Sequence, residues 1–128
     1  MSEQSALKYT PAHEWVRIDG DLLTVGITAY AAEKLGEVVF VDVPEVGASV
    51  TKGKVVAEVE STKSVGEVYA PLDGTVVEVN TAVADNPELI NEAPFGDGWL
   101  FTLRVASVDA IESAGLLDLD AYTALTQA

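Results

Sequence analysis

Lys63 lies in Ser61-Thr62-Lys63-Ser64, between the valine-rich runs Val55 to Glu60 and Val65 to Tyr69. Two short apolar runs joined by a few polar residues predict a β-hairpin, and its tip would hold the lysine ε-amine clear of neighbouring structure. Acylation of that amine would cancel its charge and add a long mobile arm. Exposed turn lysines are also ordinary solvated residues, and spacing alone does not separate the two fates. Ser61, Thr62 and Ser64 have no base beside them, so their hydroxyls are read as satisfying local backbone, with no nucleophilic role.

The remaining residues limit the chemistry. There is no cysteine, so the chain forms no disulfide and does no thiol chemistry of its own; any sulfur redox function must come from an attached group. His13 is the only histidine. Beside Trp15 it reads as a packing and hydrogen-bonding residue rather than a catalyst. With no Gly-x-Gly-x-x-Gly loop and no clustered metal ligands, no catalytic residue and no metal site are assigned, and a free-standing enzyme is not expected. The 21 acidic against 7 basic residues give a formal charge of -14, which repels nucleic acid and anionic membranes and favours basic or neutral protein partners. A 48% hydrophobic content argues for a folded domain rather than an acidic disordered chain. Met1-Ser2-Glu3-Gln4 has neither an apolar signal core nor an Arg-rich transit pattern, and no apolar run is long enough to span a bilayer. A cytoplasmic protein is expected, or a matrix protein already processed.

The elements that must position these residues are mostly strands. Runs at Leu22 to Ile27, Val38 to Val43, Val55 to Glu60, Val65 to Tyr69, Thr75 to Asn80 and Trp99 to Val105 alternate with glycine and proline signals, the spacing of a barrel or sandwich. Asp19-Gly20, Asp73-Gly74 and Gly96-Asp97-Gly98 read as turns whose glycines supply positive φ. Thr28 is a candidate cap for a helix through Leu35 that Gly36 ends; Ser107 and Asp118 cap two further helices near the C-terminus. Gly36-Glu37-Val38-Val39 is echoed by Gly66-Glu67-Val68-Tyr69, and Pro44-x-x-Gly47-x-x-Val50 by Pro71-x-x-Gly74-x-x-Val77. Two similar units about a pseudo-twofold axis would leave Lys63 at the hairpin between them. The chain, at 128 residues, is read as a single domain over 1–128, with a core of about 22–105 and a C-terminal helical segment of about 107–127.

Val59-Glu60-Ser61-Thr62-Lys63, followed by Tyr69-Ala70-Pro71-x-x-Gly74-x-Val76-x-Glu78-Val79-Asn80, resembles the lipoylation motif of glycine cleavage H proteins. The similarity extends through Lys8-Tyr9-Thr10-Pro11-Ala12-His13-Glu14-Trp15, Gly26-Ile27-Thr28, Leu35 to Val41, Pro87 to Asn91 and Gly98-Trp99-Leu100. The resemblance implies a mainly β fold: a flattened lipoyl-domain-like barrel of two small antiparallel sheets (a barrel-sandwich hybrid), with short helices after the first strands and at the C-terminus. It implies lipoate attached covalently to Lys63 by a lipoyl or octanoyl transferase or a lipoate ligase. It also implies a non-catalytic carrier that takes the aminomethyl group of glycine from glycine decarboxylase (the P protein) to aminomethyltransferase (the T protein), and is reoxidised by dihydrolipoamide dehydrogenase (the L protein). Glu14 and Glu67 match positions of the cleft that holds the loaded arm. Some relatives have serine where this chain has Ala12 and aspartate where it has Glu67.

A lipoyl domain of a 2-oxoacid dehydrogenase complex is the main alternative, but such domains tend to carry aspartate before the lysine, where this chain has Thr62. Biotin carriers place methionine on both sides, and Thr62 and Ser64 occupy those positions. An unmodified structural interaction domain also fits the composition, and intact mass separates it from a carrier.

Overall fold

The computed structural model describes residues 7–112 and 115–127. The strands are β1 (Lys8–Tyr9), β2 (Glu14–Asp19), β3 (Leu22–Ile27), β4 (Val38–Asp42), β5 (Ser49–Val50), β6 (Val55–Ser61), β7 (Val65–Tyr69), β8 (Gly74–Val79) and β9 (Phe101–Arg104). Between and after them run α1 (Ala29–Leu35), α2 (Thr81–Asp85), α3 (Leu89–Glu92), α4 (Val108–Glu112) and α5 (Leu119–Gln127). A six-stranded sheet has the order β1-β2-β3-β9-β8-β5, and a three-stranded sheet has the order β4-β6-β7. Among the described residues the strand pairs are antiparallel, so the mainly β two-sheet architecture that the resemblance implied is the one observed.

The apolar alternation that marks the strands also builds the core. Val16, Leu23, Val25, Val76, Phe101 and Leu103 come from the larger sheet, and Val41, Ala57, Val59 and Val68 from the smaller; all are buried in one cluster. A second cluster of Leu7, Tyr9, Trp15 and Tyr122, joined by Phe95, Trp99, Leu117 and Leu119, ties the N-terminal strands to α5. The echoed segments meet as a twofold relation requires. Val50 pairs with Gly74 antiparallel, and the Gly47 N–H donates to Val76 O at 2.7 Å. Val38 and Val68, equivalent in the other echo, are both buried on the outer strands of the three-stranded sheet.

Capping follows side-chain chemistry. The Ala31 N–H donates to Thr28 Oγ1, and Gly36 ends α1 at φ 87° with its N–H donating to Ala32 O. Ser107 and Asp118 accept from the Ala110 and Ala121 N–H groups in the same way. Beyond the expected elements are β1, β2, β5, α2 and α3. One turn expectation is corrected: Gly20 has φ 64°, but Gly74, Gly96 and Gly98 are not in the positive region. Close approach selects two of them instead, since a β-carbon at Gly74 would lie 2.6 Å from Arg104 O and one at Gly98 2.8 Å from Ala93 O.

Gly26 is chosen by the same constraint. The Trp15 indole is fully buried, its Nε1–H donates to Pro94 O at 2.7 Å, and a β-carbon at Gly26 would fall 2.6 Å from Trp15 Cε2. Gly26→Ala should therefore destabilise the fold by about 1–3 kcal/mol, the usual cost of overpacking. Urea denaturation checks this; an unchanged midpoint would mean that the indole moves aside freely.

Candidate functional site

The predicted hairpin forms between β6 and β7, with Lys63 exposed in the turn. Its hydroxyls do what turn hydroxyls do. Ser61 Oγ accepts from the Lys63 and Ser64 N–H groups and donates to Ser64 O, while the Ser61 N–H closes the turn on Ser64 O at 2.8 Å. The Thr62 N–H donates to Glu37 O, which holds the tip against the residue before β4. A β-carbon at Gly36 would lie 3.4 Å from Lys63 Cε, so the lysine stem leaves the turn alongside the C-terminal end of α1.

From that end of α1 a groove of about 350 Å³ runs between the helix and the three-stranded sheet. Its walls are largely apolar, with Ile27, Ala31 and Leu35 on one side and Val59, Gly66 and Val68 on the other. Leu35 packs so closely that a β-carbon at Gly66 would lie 3.2 Å from it, which keeps α1 near the hairpin. At the rim stand His13, Tyr30, Lys34 and Glu67. His13 stacks obliquely on Tyr30 at 4.8 Å, and Lys34 Nζ lies 5.4 Å from the centre of the Tyr30 ring.

Ala12 borders both this groove and a second hollow of about 260 Å³, lined by Thr10, Glu14, Lys52, Tyr69 and Leu116 among others. Glu14 is 2% exposed, not a solvated edge residue. Thr10 Oγ1 donates to Glu14 Oε1 at 3.1 Å, and the Tyr69 N–H donates to Oε2. Glu67 is exposed and accepts from the Tyr69 hydroxyl at 3.2 Å. The two carboxyls thus line different hollows, and Tyr69 bridges them through its backbone at one and its phenol at the other. His13 is tied by packing and hydrogen bonding, with Nδ1 at 2.9 Å from the Tyr122 hydroxyl, and burial pushes its pKa down.

Sequence reasoning placed Lys63, Glu14 and Glu67 but passed over Tyr30, Leu35 and Tyr69 as site residues. Tyr69 stands in the run that carries the family likeness, and nothing in an isolated strand residue signals that its N–H points away from its own sheet. Tyr122 lies in the helix that Asp118 was expected to cap, and nothing else in the sequence marks it. Among the described residues no group of three or more histidine, cysteine or acidic side chains is placed to hold a metal ion, and no helix is long and apolar enough to cross a membrane.

Burial raises the Glu14 carboxyl to about 7, against the opposing hydrogen bonds from the Tyr69 backbone and the Thr10 side chain. An acid that holds its proton more tightly when folded stabilises the fold below its unfolded pKa, and that stability is lost as pH rises through the folded pKa. Here the window runs from about 4.5 to about 7, and the full difference is about 3 kcal/mol. Glu14→Gln is neutral throughout, so its stability relative to the parent should rise by about that amount across the window. Urea denaturation at a series of pH values measures it; parallel curves would assign the proton to another group.

Known proteins resemble this chain along its length. The family model for the glycine cleavage H-protein matches residues 7–128. A protein of Clavibacter sepedonicus named glycine cleavage system H protein is 55% identical over 98% of each chain. Its namesake in Thermobifida fusca is 52% identical, covering 99% of this chain and 98% of its own. The crystal structure of a glycine cleavage system H protein from Mycobacterium marinum superposes with a TM-score of 0.88 at 39% identity, covering 97% of this chain and 98% of that one. Profile, sequence relatives and solved structure agree over nearly every residue, and the chain belongs to the glycine cleavage H-protein family.

Proposed function

We propose that this chain is the non-catalytic carrier of the glycine cleavage system, working through a lipoyl group joined by an amide to Lys63. The observation that carries the reading is the pairing of an exposed hairpin-tip lysine with an apolar groove that starts beside its stem. The residues present fit such a group. The tip is open to a modifying transferase or ligase, the lysine stem passes Gly36 at the end of α1, and the groove walls of Ile27, Leu35, Val59 and Val68 match an aliphatic arm. When bound, the group supplies a disulfide that can be reduced to two thiols, chemistry the chain lacks because it has no cysteine.

The chain's own residues then bind and shield. The apolar walls withdraw an arm from water, which protects a labile cargo from hydrolysis. Glu14 is the carboxyl assigned to the ammonium end of an aminomethyl cargo, in the hollow that adjoins the groove at Ala12, and Glu67 is assigned to the arm within the groove itself. A cation beside Glu14 would offset the burial that holds its proton, drawing the carboxyl to its charged form. Delivery belongs to the partner enzymes: glycine decarboxylase as donor, aminomethyltransferase as acceptor and dihydrolipoamide dehydrogenase as oxidant. A 2-oxoacid dehydrogenase lipoyl domain is not favoured, since the relatives over the full chain carry the glycine cleavage name.

Lys63→Arg tests the carrier reading. The tip side chain is exposed, so stability should change by no more than about 0.5 kcal/mol. Arginine cannot form the amide, so glycine decarboxylation reconstituted with the three partners should fall to background. A variant that melts like the parent yet supports turnover without added lipoate would sink the proposal, as would a lipoyl adduct mapped by mass to Lys8, Lys34, Lys52 or Lys54. For the cleft, Glu14→Gln should speed spontaneous loss of the cargo by about ten- to a hundredfold, the scale of one charge-assisted hydrogen bond. Unchanged loss would move that role to another group.

A further inference from the structure

Tyr122 joins three parts of the molecule through one hydroxyl. The oxygen lies 2.7 Å from Thr28 Oγ1 and 2.9 Å from His13 Nδ1; Tyr122 and Thr28 are buried and His13 is half-buried. Thr28 caps α1, whose Tyr30, Ala31, Lys34 and Leu35 line the groove. His13 lines the same groove from the β1–β2 turn. A phenol has one proton and two lone pairs, so it can donate to His13 and accept from Thr28, and both contacts are satisfied with a neutral imidazole.

Two further observations mark this junction. His13, at φ 67°, is the only non-glycine residue with positive φ among those described. An L-residue there is held by its surroundings, because the conformation costs free energy when unsupported. The supports are visible: the His13 N–H donates to Thr10 O, the Thr28 N–H donates to His13 O, and the ring packs between Tyr30 and Tyr122. Tyr122 in turn is anchored by stacking on Tyr9, with centroids 4.8 Å apart and planes 10° from parallel. The helix carrying it therefore docks through its ring and leaves the hydroxyl for the groove walls.

We propose that Tyr122 is a positioning residue, a latch by which the C-terminal helix fixes His13 and the N-terminal turn of α1 and so sets the width of the groove. Its effect on an arm rests on the reading of that groove as the place where a lipoyl arm sits; its effect on the walls does not. Tyr122→Phe keeps the stacking ring and removes only the latch. In the unmodified chain, hydrogen exchange at the Ala31 and Ala32 amides should quicken by about fivefold, the scale of one lost net hydrogen bond, and the His13 Nδ1 nitrogen resonance should move. Thr28→Ser, which keeps the hydroxyl, should match the parent, while Thr28→Val, which removes the acceptor of the Ala31 N–H as well as the latch, should quicken exchange beyond Tyr122→Phe.

In protein shown by intact mass to carry the adduct, the reduced arm's thiols should react with iodoacetamide several-fold faster in Tyr122→Phe than in the parent. Unchanged amide exchange and an unmoved His13 resonance would overturn the latch. Loosened walls with unchanged alkylation would bear out the latch on the walls and overturn its effect on an arm. A missing adduct would instead count against the carrier reading and leave the exchange result standing. If Tyr122→Phe is too unstable to handle, native-state exchange on the parent decides: a latch requires the Ala32 and Tyr122 amides to open together, and independent opening rules it out.

Discussion

A carboxyl buried between two sheets holds this molecule in its working shape. Glu14 opens β2 in the six-stranded sheet, and its Oε2 accepts the N–H of Tyr69, the last residue of the outermost strand of the three-stranded sheet. A backbone amide that points away from its own sheet needs a partner, and here the partner is a side chain from the opposite layer. The contact fixes the base of the hairpin whose other end carries Lys63. It also explains why a carboxyl tolerates such burial, since two donors reach it from Thr10 and Tyr69. The same tie lines the second hollow, which adjoins the groove at Ala12.

The strand runs and the hairpin were legible because their signals are local. Val65 to Tyr69 and Leu22 to Ile27 appear with the boundaries their valine runs suggest. Thr28, Ser107 and Asp118 cap the helices they were expected to cap, because a short oxygen side chain ahead of an apolar run has one common use. β1 and β5 have two residues each, too few for periodicity to register. β2 was hidden by its content: Glu14 is buried and Ile18 is 39% exposed, the reverse of what residue type suggests. α3 is a single turn, and its Asn91 side chain accepts from the Val38 N–H and donates to Gly36 O across more than fifty residues. No window on the sequence contains that pair.

The site divides along the same line. A lysine at a turn is visible in the chain itself, and the motif likeness is what singles out Lys63 as the proposed attachment point. That Glu14 and Glu67 line separate hollows is a matter of strand register: Glu67 faces Glu58 across the hairpin, while Glu14 approaches from the other sheet. Tyr122 is more than ninety residues from Thr28 and His13. Its phenol is what brings the C-terminal helix into an arrangement that the strands alone would leave open.

The six-stranded sheet ends on both sides in a two-residue strand, β1 at one edge and β5 at the other. Exposed edges invite other chains to add as a further strand, and very short ones give such an addition too few bonds to hold. The smaller sheet is guarded differently, with the Tyr69 and Val38 amides already taken by side chains. Together with a charge of -14, this leaves little by which one copy could nucleate on another. A component of a multienzyme system benefits from staying dispersed while it meets its partners. The blunt margins of its sheets keep crowding from becoming fibre.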